Sequence, residues 1–177
     1  MRKFKIHFSR STKKFNHFSK LLQWYEGMPI SHCLIEFDTP HLGQNFVYHS
    51  VIGNGVSFMT RKKFDKINEV METYEIELPD EEYRAMRNEL LDNLGESYAM
   101  MQNIGIVLVD MARRRGVPMS NPWKDGQNCS ELIYRHVIPH ICEHPDIYDA
   151  DLIKPSEIRK ILEKHEIKPI SSKIKKI

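Results

Sequence analysis

At 177 residues, with 41% hydrophobic and 28% charged residues, the chain has the make-up of a globular protein able to bury a core, which excludes a disordered or fibrous one. A formal net charge of +2 gives it no general attraction for polyanions, and no strong nucleic-acid signature is present. Three cysteines, Cys33, Cys129 and Cys142, without a CxxC pair, argue against a disulfide framework and suit a reducing compartment.

The first segment, MRKFKIHFSRSTKKF, is basic but lacks a continuous apolar stretch and a small-residue cleavage site, so it does not read as a secretory signal. No apolar run approaches the length that spans a bilayer, and the expected location is cytoplasmic. KFKIHF alternates polar and apolar like a half-buried strand. FNHFSKLLQWYEG then reads as an amphipathic helix closed by Gly27. Three strands are predicted next, SHCLIEF, QNFVYHSV and GVSFMT, separated by the turn-rich DTPHLG and IGN, and VMETYEIEL is a further alternating run.

The second half reads as helical. PDEEYRAMRNELLDNLG has Asp80 as its predicted cap, acids in its first turn and Gly95 at its end. SYAMMQNIGIVLVDMARRRG is a more apolar helix, expected to be buried, with Arg113, Arg114 and Arg115 complementing its C-terminal end. VPMSNPWKDGQN is a loop, CSELIYRHVI the next helix, and KPSEIRKILEKH the last, begun by Pro155 and Ser156. The expected fold class is α+β, an early antiparallel sheet followed by packed helices, in one domain over residues 1–165 with a basic tail over 166–177. The end of that tail, SSKIKKI, reads as a frayed, solvated terminus.

Cys129 carries the chemistry. In GQNCSELIYRHV it stands where a loop hands over to a helix, facing unpaired N–H groups and the positive end of the helix dipole. Such settings lower a cysteine pKa from about 8.5 to roughly 3.5–7.5. Its flanks, Gln127, Asn128, Ser130 and Glu131, are too polar for an ordinary core thiol. His32, at the head of SHCLIEF, supplies an imidazole able to take and return a proton at neutral pH. His49 lies on the adjacent predicted strand, within reach of His32 across one face, and Glu36 shares that face by alternation. Cys33, one residue from His32, points to the opposite face and reads as core.

Three features together resemble the permuted papain-fold superfamily, which includes NlpC-like cysteine peptidases of rearranged topology and the lecithin:retinol acyltransferase group. They are a strand headed by histidine (Ser31, His32, Cys33), the strand VYHSVIGNGV with its GV step, and NCSEL opening a helix. In papain the nucleophile helix comes first; in the permuted families, as here, the histidine strand precedes it. The similar order covers residues 3 to about 162.

The resemblance implies a circularly permuted papain-like fold, with the histidine-bearing sheet packed against helices and the nucleophile at a helix N-terminus. It makes Cys129 the nucleophile, His32 the general base and His49 the third polar residue, while the residues themselves offer Glu36 and Asp38 as alternative orienters. Tyr98 matches the tyrosine that often precedes the nucleophile helix. Tyr98, Gln127 and Asn128 are the oxyanion or substrate candidates, beside the Cys129 N–H. The implied reaction attacks an amide or ester carbonyl of a peptide, peptidoglycan-type peptide, isopeptide or acyl lipid, with no metal or organic cofactor. Acyl transfer by the same dyad, a non-catalytic binding module, and a histidine-rich metalloprotein are the alternatives. For the last, His136, His140, Cys142 and His144 form a cluster, but Pro139 interrupts its helix and no HExxH pattern occurs, so a surface-histidine reading is preferred.

Overall fold

Among the described residues six strands form one antiparallel sheet, running from edge to edge as Gly55–Thr60, Phe46–Val51, His32–Phe37, Arg2–Ser11, Asn68–Leu78 and Pro169–Ser172. The structure, a computed structural model, describes residues 1–13, 17–123, 126–142 and 148–174. The strands are β1 (Arg2–Ser11), β2 (His32–Phe37), β3 (Phe46–Val51), β4 (Gly55–Thr60), β5 (Asn68–Leu78) and β6 (Pro169–Ser172). The helices are α1 (His17–Glu26), α2 (Arg61–Phe64), α3 (Asp80–Asp92), α4 (Met100–Arg114), α5 (Cys129–His136), α6 (Ile138–Ile141) and α7 (Pro155–Lys164).

Strand alternation builds the main core. Phe4, Ile6 and Phe8 of β1 face the helices with Cys33, Ile35 and Phe37 of β2, in a register that pairs Ile6 with Ile35 on one side and with Tyr74 on the other. Leu132 and Ile133 of α5 and Ile158, Ile161 and Leu162 of α7 close this layer. Each such side chain stabilises the fold by about 1.5–3 kcal/mol when fully buried. The other face of the sheet carries a smaller cluster of Leu34, Val47 and Phe64, the last supplied by α2. Beside it, buried Glu36 accepts hydrogen bonds from Arg61, from Asn45 at 2.7 Å and from His7 Nε2 at 2.9 Å, and His7 Nδ1 meets Thr73 at 2.9 Å.

Several elements differ from the sequence reading. Pro79, not Asp80, precedes α3, and no side chain caps that end. Asp80 is instead the first helical residue, its carboxylate 3.7 Å from Arg2. α4 is only partly buried: Ile106 and Val109 face inward while Met101, Leu108 and Met111 stand exposed, so its apolar content does not place it in the core. Four-residue α2 and β6 are too short to show a period. β6 occupies the start of the predicted tail and pairs with β5, and the Lys173 N–H continues the pairing to the Met71 carbonyl at 2.7 Å. Lys175–Ile177 lie outside the described residues.

Candidate thiol site at the start of α5

Asn128 makes the loop-to-helix transition ahead of Cys129. Its Oδ1 accepts from the N–H groups of Ser130 and Glu131, both at 2.9 Å, so two of the helix's unpaired donors are satisfied and the helix starts at Cys129. The loop before it is pinned on two sides. Ser50 Oγ of β3 donates to the Gln127 carbonyl at 2.6 Å, and the Gln127 N–H donates to the Ser97 carbonyl at 3.0 Å. The bridge between Tyr98 and Gln127 requires a glycine at 126, where φ is +87° and a Cβ would meet the Ser97 carbonyl oxygen at 2.4 Å.

The Cys129 thiol is 4% exposed and converges with the side chains of β2. Cys33 Sγ lies 3.8 Å from Ser130 Oγ, and Cys129 Sγ lies 4.0 Å from the same oxygen. The neighbouring Cys33 thiol first, then the His32 imidazole, hold Cys129 well below the ordinary cysteine range against the opposing effect of burial. Its place at the helix N-terminus acts in the same direction. Burial and the neighbouring Cys129 push the Cys33 thiol up, so the two sulfurs are differentiated, one towards thiolate and one held as thiol.

His32 is the first residue of β2, and its ring sits edge-to-face with that of His49 at 5.6 Å between centroids. The two rings touch but share no hydrogen bond: His32 Nε2 and both His49 nitrogens are buried without a partner. Burial and the adjacent His32 push His49 down to about 3, so its imidazole is neutral, and Phe64 packs against both rings.

Tyr98 is drawn in as well. Its hydroxyl accepts from Asn103 Nδ2 at 2.9 Å, and burial followed by the nearby Cys129 charge pushes its pKa up, so its proton is retained. Gln127 points away: its Nε2 donates to Asn93 Oδ1 at 2.8 Å and lies 3.4 Å from His136 Nε2. Asn128 spends its oxygen on the cap, while its Nδ2 is buried and unpartnered. Glu36 is committed to His7, Asn45 and Arg61 instead of His32, and Asp38 is exposed beyond the end of β2. The structure therefore groups Cys129, His32, His49 and Tyr98, and separates Gln127, Glu36 and Asp38 from them.

A narrow cleft of about 10 Å³ beside Cys129 is lined by Ser31, Glu26, Tyr25 and Asn103, room for about one water. Burial pushes the Glu26 carboxyl up to about 7, against hydrogen bonds from Ser156 and the charge of Lys154. An apolar concavity of about 540 Å³ lies elsewhere, where Phe37, Phe58 and Tyr83 gather beyond the far end of β2, and no cysteine lines it.

Sequence reasoning missed Cys33, Asn103 and Glu26. Alternation set Cys33 on the side of β2 away from His32, as observed, but that is the side on which α5 packs, and no local pattern announces such a long-range contact. Among the described residues no group of three or more His, Cys, Asp or Glu is placed to hold a metal ion. His140 instead meets Glu82 at 3.1 Å and Glu89 at 3.2 Å, and His136 meets Glu89 at 3.6 Å, so both are held between α3 and the α5–α6 segment. His144 lies outside the described residues. No helix among the described residues is long and apolar enough to cross a membrane. Compared with protein-family models, curated proteins and solved structures, the chain matches none.

Proposed function

We propose that the chain is a cysteine-dependent hydrolase of permuted papain-like topology, cleaving an amide or ester bond through an acyl-enzyme on Cys129. The observation that carries this reading is a buried cysteine at a helix N-terminus whose thiol is held low by Cys33 and His32. The order of a histidine strand before the cysteine helix, and a sheet packed against that helix, support the topology.

In this reading the Cys129 sulfur attacks the carbonyl carbon, and His32 holds the thiol proton and delivers it to the leaving group. The Cys129 N–H and the Tyr98 hydroxyl, whose own proton is left to donate because Asn103 donates to its oxygen, stabilise the tetrahedral oxyanion. His49 is neutral and packs on the His32 ring, limiting its swing. Water then releases the acyl group, with His32 taking its proton. Substrates of this class are small peptides, peptidoglycan-type peptides, isopeptides and acyl lipids.

The test is iodoacetamide alkylation followed site by site by mass spectrometry across pH, in the parent protein and in His32→Ala. Cys129 should react far faster than Cys33 and Cys142 at pH values about two units below the ordinary cysteine pKa, and His32→Ala should abolish that advantage. An inert or ordinary Cys129 would leave a binding role for the fold. Trapped acyl-enzyme offered water or an amine then separates hydrolysis from transfer.

A further inference from the structure

We propose that the face formed by α1 and α4 docks the protein onto a bilayer surface containing anionic lipid. On α4, Met101, Leu108 and Met111 fall at spacings of seven and three residues, on one stripe of the helix, and are 41%, 41% and 40% exposed. On α1, Leu21 and Trp24 form a second exposed pair, and Trp24 is 74% exposed. The two stripes are continuous, because Trp24, Val107 and Met111 line one notch of about 410 Å³ with Tyr25, Arg114 and Arg115. A tryptophan and several large apolar side chains gathered on one face, rimmed by cations, mark an interaction surface and not scattered surface residues.

Charge selects the occupant. Exposed Arg114 and Arg115 rim the notch, Arg114 lying 3.0 Å from half-buried Asp110, and exposed Lys20 stands four residues before Trp24 on α1. A second copy of the chain using the same face would set these cations against their own equivalents. An anionic bilayer meets both needs: tryptophan favours the headgroup level, and basic side chains are attracted to the negative surface. Tyr25 lines this notch and also the cleft beside Cys129, so docking brings the mouth of the thiol site to the surface. That consequence rests on the proposed thiol chemistry; the docking does not.

The test is co-sedimentation of the full chain, and of Cys129→Ala, with vesicles of phosphatidylcholine alone or mixed with phosphatidylglycerol. Binding to the mixed vesicles only, weakened by salt and retained by Cys129→Ala, is the expected result. Arg114→Gln combined with Arg115→Gln should weaken it at least about tenfold, as should Trp24→Ala. In a Trp123→Phe background, the remaining tryptophan emission should shift to shorter wavelength with mixed vesicles. Absence of binding to the mixed vesicles overturns the proposal, as does binding that ignores all three substitutions. A dimer in sedimentation that Trp24→Ala dissolves would assign the face to a second copy and overturn it equally. Because Cys129→Ala carries the same surface, a failed hydrolase reading leaves a positive vesicle result standing.

Discussion

The sulfur of Cys129 is conditioned by neighbours distant from it in the chain. The strongest influence holding it low is the Cys33 thiol, which no alternation rule connects to it. Replacing Cys33 by alanine should therefore move the alkylation profile of Cys129 up towards the ordinary value of about 8.5. An unchanged profile would assign the effect to His32 and the helix terminus alone. Glu26 supplies a second test at the same scale. A carboxyl raised to about 7 binds its proton more tightly in the folded than in the unfolded chain, where it titrates near 4.5. Its contribution is thus fully present below about 4.5 and is lost as pH rises through about 7. Glu36 works in the opposite sense: burial raises it, but His7, Asn45 and Arg61 together bring it down to about 2, so its contribution holds above about 4.5 and is lost as pH falls through about 2. Thermal unfolding of Glu26→Gln across pH should lack the decline between about 4.5 and 7 expected of the parent, while keeping the acid limb.

Helix α5 is positioned by its entry more than by its length of eight residues. Asn128→Ala removes the oxygen that accepts from Ser130 and Glu131, and should cost about 1 kcal/mol in denaturant unfolding. Gly126→Ala introduces a methyl where the Ser97 carbonyl stands and strains a left-handed backbone, so it should cost more than a cap. It should also release the Tyr98 segment from the loop, slowing Cys129 alkylation out of proportion to the loss of stability. Equal effects of the two substitutions on alkylation would show that Tyr98 does not depend on this bridge. The sequence already displayed much of this element: the polar flank of Cys129, the asparagine ahead of it and the glycine two residues earlier are all local signals. The helix at 100–114 shows the converse. Its apolar content suggested burial, yet which stripe faces inward depends on partners distant in the chain, and three large side chains remain exposed.

Across the whole molecule, β1 to β5 and their order of appearance were legible because β1 and β5 alternate and the short strand-forming runs of β2, β3 and β4 are set apart by turn residues. Their arrangement was not. β1 lies inside the sheet, paired with β2 and with β5, whose partner residues stand about sixty to seventy positions away, as Ile6 and Tyr74 do. Such pairing carries no local mark, and the same holds for the meeting of Cys33 with Cys129, which lie on a strand and a helix that only the finished layers press together. One prediction belongs to this scale. In a denaturant titration, the excess reactivity of Cys129 over Cys142 should vanish at the same midpoint as the loss of secondary structure. A separate, earlier midpoint would reveal that α5 undocks before the sheet opens.

The packing of α5 on β2 also sets when the thiol becomes dangerous. In a nascent chain Cys129 has neither Cys33 nor His32 beside it, and its sulfur is as sluggish as any free cysteine. Activation waits until the sheet has closed around its first strand and the late helix has settled on it. The low pKa of Cys129 is thus a property of the finished fold and not of the segment that carries it.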